Sequence, residues 1–227
     1  MSRAVVLLSS GLDSSYNLFR AKREHEIALA LTFNYGQKAA RQEIAHAKAL
    51  AEALNIPHQI VELPWFRDFT KTSLVGDQKI PSGKDVSIDD MKTSMETMKA
   101  VWVPNRNGIL LNIAAGFAEG CDAKYIIPGF NVEEAATFPD NSQGYLESLT
   151  HAFSFSTRNH VEVLCYSTAM NKTEIVKDGK RLQLPLEKLW PCYHSFEKWC
   201  GECESCQRFD RAVREAGLQS QIEGCFQ

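Results

Sequence analysis

The sequence predicts an α/β fold with a doubly wound parallel sheet, and three observations carry that prediction. Short apolar runs alternate with helical patterns along the first two-thirds of the chain. The runs are almost continuously apolar, as strands covered on both faces must be. Turn-forming residues end the first two, at Ser9-Ser10-Gly11 and at Asn34-Tyr35-Gly36.

Taken in order, Ala4 to Leu8 is the first predicted strand, and a helix follows from Asp13 to about Arg23. Ile27 to Phe33 is the second strand. Gln37 to Leu54 is rich in Ala, Lys, Glu and Leu, which lose little on entering a helix. His58 to Glu62 reads as the third strand. From Pro64 to about Met98 the pattern weakens around Pro81, Ser82 and Gly83, and the stretch is too long for a plain connection. A substrate lid or a partly ordered insert is expected there. The pattern resumes with a helix over Asn107 to Glu119, a strand over Tyr125 to Pro128, a helix over Gly144 to about Phe155 and a strand over Val161 to Cys165. A last helix is expected from Gln207 to Glu215. No repeat, low-complexity tract or linker interrupts the chain. One compact unit over 1–227 is expected, with a core at 1–185 and a metal-binding region at 186–227.

Composition narrows the class. The chain has 227 residues, 44% hydrophobic and 23% charged, with a net charge of −3. Such values exclude a disordered tail, a collagen-like fibre and a disulfide miniprotein. No run approaches the roughly 20 apolar residues of a membrane helix. The apolar run after Met1-Ser2-Arg3 is too short for a signal-peptide core. A cytoplasmic protein is expected, with no membrane partner, and the charge gives no footprint for nucleic acid.

Two local patterns carry chemistry. A buried strand running through Leu8 into Ser9-Ser10-Gly11-Leu12-Asp13-Ser14 and straight into a helix aims successive backbone N–H groups at one point, where an anion is stabilised. Ser9 and Ser14 add hydroxyls, and Asp13 could hold a cation that bridges phosphates. The same turn could simply cap the helix. The second pattern is Cys192, Cys200, Cys203 and Cys206, four of the seven cysteines within one short segment. Their C-x2-C spacing suits a structural zinc, since four thiolates close a tetrahedron; iron–sulfur is the rival. Arg106, at a predicted helix start, could grip a phosphate or carboxylate with two hydrogen bonds, or be solvated there. Lys172 has the same ambiguity. Glu133 and Glu134 follow a strand at the carboxyl edge of the sheet, where ligands sit in such folds, and could bind magnesium or a ligand's donor edge, or be plain surface charge.

The loop Ser9 to Ser14 resembles the SGGxDS pyrophosphate loop (PP-loop) of the ATP pyrophosphatases, whose fold is adenine nucleotide alpha hydrolase-like. Further segments are similar to the 7-cyano-7-deazaguanine synthase (QueC) family. They are Asn34-Tyr35-Gly36-Gln37, Val103-Pro104-Asn105-Arg106-Asn107, Gly129-x-Asn131, Phe138-Pro139-Asp140, Asn171 to Val176, and Cys192-Tyr193 with Cys200 through Arg208. The resemblance implies that ATP is bound by Leu8, Ser9, Ser10, Gly11, Leu12, Asp13, Ser14, Tyr35, Gln37, Arg106, Asn107 and Gly129. It implies catalytic roles for Asp13, Ser14, Arg106 and Lys172. Substrate would meet Asn131, Glu133, Glu134, Phe138 and Asp140, and Zn2+ would be held by Cys192, Cys200, Cys203 and Cys206. It also implies Mg2+, a homodimer, and a reaction in which 7-carboxy-7-deazaguanine is adenylated and aminated by free ammonia, then adenylated again to leave the nitrile. Nothing in that sequence needs a protein nucleophile.

Several positions depart from the family pattern. Ser10 replaces a loop glycine, at a cost of roughly 1–2 kcal/mol if the position needs a positive φ. Asn105 also replaces a glycine, Glu134 stands where Asp is usual, and Asn141-Ser142 replaces Cys-Arg. These changes leave a second expectation open: a ligase that passes the activated carboxylate to another amine, such as a protein amine, and stops at the amide.

Overall fold

The computed structural model describes residues 1–88 and 90–227. The chain runs β1 (Arg3–Leu7), α1 (Leu12–Glu24), β2 (Glu26–Asn34), α2 (Ala40–Ala53), β3 (His58–Glu62), α3 (Phe66–Phe69), α4 (Met91–Val101) and α5 (Arg106–Gly120). It continues with β4 (Tyr125–Ile127), α6 (Val132–Ala135), α7 (Gln143–Ser156), β5 (Glu162–Val163), α8 (Lys172–Arg181) and α9 (Glu204–Glu215). The strands pair in parallel in the order β3-β2-β1-β4-β5.

The central strand shows why apolar runs form this sheet. Ala4, Val5 and Val6 are fully buried, yet they serve opposite faces, as the two-residue period of a strand requires. Val5 joins a core with Leu31, Leu111 and Ile126. Ala4 and Val6 join the core on the other face, with Leu18, Ala30, Ala47 and Ile127. The larger core runs on through Val176, Trp190 and Cys192 to Trp199 and Phe209, so the C-terminal segment packs into the same apolar mass as the sheet.

Strand order places the site. From β1 the chain moves outward to β2 and β3, then returns to lay β4 on the other side of β1. A crevice opens where the winding reverses, outside the carboxyl ends of β1 and β4. There Gly129 lies so close to α1 that a Cβ on it would sit 2.3 Å from the Ser14 nitrogen and 2.5 Å from the Asp13 carbonyl carbon. Only glycine allows that approach.

The predicted strands and long helices are present, with informative differences. Helix α2 starts at Ala40 because Gln37 folds back on its own turn, its Oε1 accepting from the Tyr35 N–H at 3.0 Å. Strand β5 is short, ending at Val163, because the Phe130 backbone is taken by side chains: Cys165 Sγ accepts its N–H and Ser167 Oγ donates to its carbonyl at 2.6 Å. The stretch after Pro64 contains α3 and α4. It buries Phe66, Leu74, Val75 and Ile80 in the main core, and Ser82 bridges to Cys203. Helix α8, absent from the sequence-based expectation, starts with a capping box in which Asn171 accepts the Glu174 N–H and Glu174 accepts the Asn171 N–H.

Candidate active site and metal centre

A cleft of about 260 Å³ lies over the carboxyl ends of β1, β2 and β4. Its floor is the turn from β1 into α1, where Leu8, Ser9, Gly11, Leu12, Asp13 and Ser14 line the space. Gly11 caps α1 with extended backbone and no side-chain cap, leaving the first N–H groups of the helix for a ligand. Ser14 Oγ sits 3.1 Å from Ser9 Oγ and accepts the Ser9 N–H, which orients both hydroxyls. Ser10 does not line the cleft. It is fully buried with φ +59°, and its hydroxyl turns outward to the Ser9 carbonyl at 2.6 Å and the Glu43 carbonyl at 3.2 Å.

Lys172 organises one wall. Its ammonium, on the first turn of α8, donates to Asp13 Oδ2 at 2.7 Å and to Glu134 Oε1 at 2.8 Å. Burial opposes that charge, but the two carboxylates hold its pKa above the ordinary lysine value. Burial raises Asp13 by more than Lys172 lowers it, whereas for Glu134 the pull of Lys172 wins. Asp13 Oδ1 and Asn131 Nδ2 are buried without hydrogen-bond partners. Asn131 Oδ1 caps α6 through the Glu134 N–H.

Glu133 lies on the same wall, but its carboxylate is occupied. Oε1 accepts the Lys172 N–H at 2.8 Å, while Oε2 meets Arg208 at 3.4 Å and Arg211 at 2.5 Å. Arg208 also donates twice to Glu204, whose other oxygen accepts from Thr97 of α4 at 3.0 Å. The weakly patterned insert is thereby tied to α9.

Arg106 opens the opposite wall. Its NH1 reaches the Tyr35 hydroxyl at 3.3 Å and Nε reaches Asn107 at 3.3 Å, with the guanidinium over the Tyr35 ring. Among the described residues no carboxylate lies within 4.0 Å of it. Burial works against the charge, yet Tyr35 and Asp140 keep its pKa above the usual arginine value. Tyr35, Gln37, Asn107, Gly129 and Phe138 also line the cleft. Gln37 spends its amide on the turn and on Glu43, and Phe138 stacks on Trp102 with rings 13° apart. Asp140 is outside the lining. Its carboxyl accepts from Asn141, and burial raises it more than Arg106 lowers it.

The four cysteines converge beside this cleft. Cys192, Cys200, Cys203 and Cys206 place their Sγ atoms within 4.8 Å of one another. Cys200 and Cys206 are 3.9 Å apart, and the N–H groups of His194, Cys200 and Cys203 point at thiol sulfurs. Cys203 caps α9 and Cys206 lies in its first turn, so a helix fixes two of the four. Cys192 also lines the cleft, next to Tyr193.

A family model, "Queuosine biosynthesis protein QueC", matches residues 3–217. The chain belongs to the QueC family. Among its relatives, a 7-cyano-7-deazaguanine synthase of Bdellovibrio bacteriovorus is 56% identical over 218 residues, covering 95% of this chain and 94% of the relative. The synthase of Carboxydothermus hydrogenoformans is 50% identical over 214 residues, covering 93% and 98%. A 4-thiouridine synthetase solved with RNA and ATP superposes with a TM-score of 0.55 at 15% identity, over 99% of this chain and 53% of that one. The U34-tRNA thiolase NcsA of Methanococcus maripaludis gives 0.51 at 16%, over 98% and 71%. At such identities these two structures establish the fold alone.

Sequence reasoning missed Glu43, Tyr193 and Glu204 as cleft residues. For Glu43 the only local cue was its place on the first turn of a helix leaving the carboxyl edge of the sheet. Tyr193 and Glu204 lie within the cysteine segment, whose metal-like spacing carries no sign of a place in the cleft.

Proposed function

We propose that this chain converts 7-carboxy-7-deazaguanine, ammonia and ATP into 7-cyano-7-deazaguanine, the product named for relatives that share half or more of its residues along nearly their whole length. The observation that carries the reading at the level of chemistry is the open helix N-terminus of α1 facing a cleft that also holds Arg106. A carboxylate resists nucleophiles because of its charge. Attack of its oxygen on the α-phosphorus of ATP expels pyrophosphate and makes AMP the leaving group. The N–H groups at Leu12, Asp13 and Ser14 and the Ser9 and Ser14 hydroxyls would take the charge that develops on pyrophosphate. Arg106, with no carboxylate within 4.0 Å among the described residues, would hold the substrate carboxylate or the α-phosphate. Lys172 would keep Asp13 and Glu134 fixed. Leu8, Tyr35 and Asn107 would bound the nucleotide pocket, with Ser10, Gln37 and Gly129 shaping it from behind. Phe138 suits the substrate side, while Asn131, fully buried and outside the lining, would act there by fixing Glu134 and α6, and Asp140 through Arg106.

Asp13 Oδ1 fits Mg2+, because it is a buried carboxylate oxygen with no partner. Asp13 would hold the ion, which would supply positive charge against the phosphates. The four thiols suit Zn2+: they are close enough for one ion, they leave no open position, and an iron–sulfur cluster would spread them wider. One structural zinc in the 186–227 region of a single unit is the reading. The family resemblance supports a homodimer. An ATP-consuming enzyme with unpaired cysteines suits the cytoplasm.

The alternative of amide conjugation draws on the Asn141-Ser142 departure, and both residues have local duties. Ser142 caps α7 through the Tyr145 N–H, and Asn141 holds Asp140. The test is mass spectrometry of products from 7-carboxy-7-deazaguanine, ATP, magnesium and ammonium. A nitrile with two AMP and two pyrophosphate is expected. Adenylate or amide without nitrile would overturn the assignment and redirect the search to another amine.

A further inference from the structure

Among the described residues five carboxylates line the cleft: Asp13, Glu43, Glu133, Glu134 and Glu204. Four are neutralised. Lys172 takes Asp13 and Glu134, Arg208 takes Glu204, and Arg208 with Arg211 takes Glu133. Glu43 differs. Its one side-chain partner among the described residues is the neutral amide of Gln37, at 2.8 Å on Oε2, and no cation is within salt-bridge distance. Its second oxygen is not among the buried atoms that lack a partner, so it remains open to the cleft. Glu43 is also held in place, because its partner Gln37 is anchored on Phe33 and Tyr35.

The proposed reaction supplies a need for such a group. Ammonia reaches the cleft largely as ammonium at neutral pH, and ammonium has no lone pair to attack with. We propose that Glu43 is the catalytic base of the amination half-reaction, receiving ammonium and taking one of its protons; this rests on the synthase reading above. The freed lone pair forms the C–N bond to the acyl carbon. The C–O bond to AMP breaks with its electron pair on the phosphate oxygen, and the second nitrogen proton goes to water. Burial raises the Glu43 carboxyl above its ordinary value, Gln37 and Arg106 pulling it only part of the way back. That makes it a better proton acceptor than a solvated glutamate.

Glu43→Gln tests the proposal. Adenylation read without ammonia, as pyrophosphate released on the first turnover, should stay within about twofold of wild type. The kcat/KM for ammonia should fall by about 100-fold or more, the scale of general base catalysis. Raising the pH should restore much of that loss, because free ammonia then replaces ammonium. Hydroxylamine, a nucleophile that is unprotonated at neutral pH, should give hydroxamate equally well with both proteins. Equal ammonia kinetics in the variant, a parallel fall of adenylation and amination, or an equal loss with hydroxylamine would each overturn the role. Should the variant fail to fold, wild type alone decides: its kcat/KM for total ammonia must stay nearly level from mildly alkaline pH down to the protonation of one carboxyl, and a fall in proportion to free ammonia refutes the base. Absence of adenylation by wild type would instead refute the synthase reading.

Discussion

Ser10 offers the sharpest test of how this loop tolerates a residue other than glycine. Its φ of +59° costs a non-glycine residue about 1–2 kcal/mol. Replacing Ser10 with glycine releases that strain but loses the hydroxyl. One O–H proton cannot serve both the Ser9 and Glu43 carbonyls, so a single hydrogen bond is counted, about 0.5–1.5 kcal/mol. The freer unfolded chain of a glycine variant loses about 0.4–1 kcal/mol more. Strain relief and these two losses nearly cancel, so Ser10→Gly should lie within about 1 kcal/mol of wild type. Ser10→Ala keeps the strain and loses the hydrogen bond. It should be destabilised by about 1 kcal/mol, or a melting temperature lower by roughly 2–4 °C at this size. Urea unfolding at fixed metal and reductant concentration would measure both. A Ser10→Gly variant stabilised by more than about 2 kcal/mol, or a Ser10→Ala variant equal to wild type, would refute the idea that the hydroxyl offsets the backbone strain.

Gly129→Ala forces a Cβ to within 2.3 Å of the Ser14 nitrogen; overpacking of about 1–3 kcal/mol is expected, with weaker ATP binding by calorimetry. Lys172→Met leaves the buried Asp13 and the partly exposed Glu134 without their cation, which should cost about 3 kcal/mol at neutral pH, the low end for a buried pair because solvent screens Glu134. The Asp13 pKa already lies above its ordinary value and rises further in this variant, so its carboxyl is protonated as pH falls. The deficit should therefore shrink toward acid in a pH series of thermal melts and grow as pH rises through that pKa. Metal analysis should find one zinc per chain, and its removal by a strong chelator should lower the melting temperature, with Cys200→Ser behaving alike.

The parts of the fold that were legible in the sequence are those whose signal is local. Val5 and Ile126 sit in strands buried on both faces, so their runs are apolar whatever lies around them. The cysteine ligands are legible because three of the four fall within seven residues and one helix turn fixes two of them. Helix α8 could have been read from its capping box, since Asn171 stands three residues before Glu174. Helix α4 was harder, because Ser94 and Thr97 are buried polar residues that break its apolar stripe. What no local pattern carries is the pairing of charges. Glu133 and Arg208 are 75 residues apart in sequence, and only the fold reveals that this carboxylate is occupied. Glu43 is the converse, a glutamate like Glu52 on the same helix until the packing turns it to the cleft with no cation at salt-bridge distance.

The same physical reading accounts for the departures from the family pattern. Ser10 and Asn105 both have positive φ, +59° and +50°, and both replace glycine. The first is compensated by its hydroxyl, and the second is a residue type that accepts the left-handed region more readily than most. Glu134 meets Lys172 at 2.8 Å, so the longer side chain still delivers a carboxylate to the ammonium that holds Asp13. Ser142 starts a helix and Asn141 steadies Asp140 near Arg106. Each change thus falls where the local demand is a backbone conformation, a cap or a reach that the new residue meets. None removes a donor from the α1 N-terminus or gives Arg106 a competing carboxylate. At every altered position the α1 N-terminus and the surroundings of Arg106 are left standing, so none of these changes supplies a structural reason for the reaction to stop at the amide.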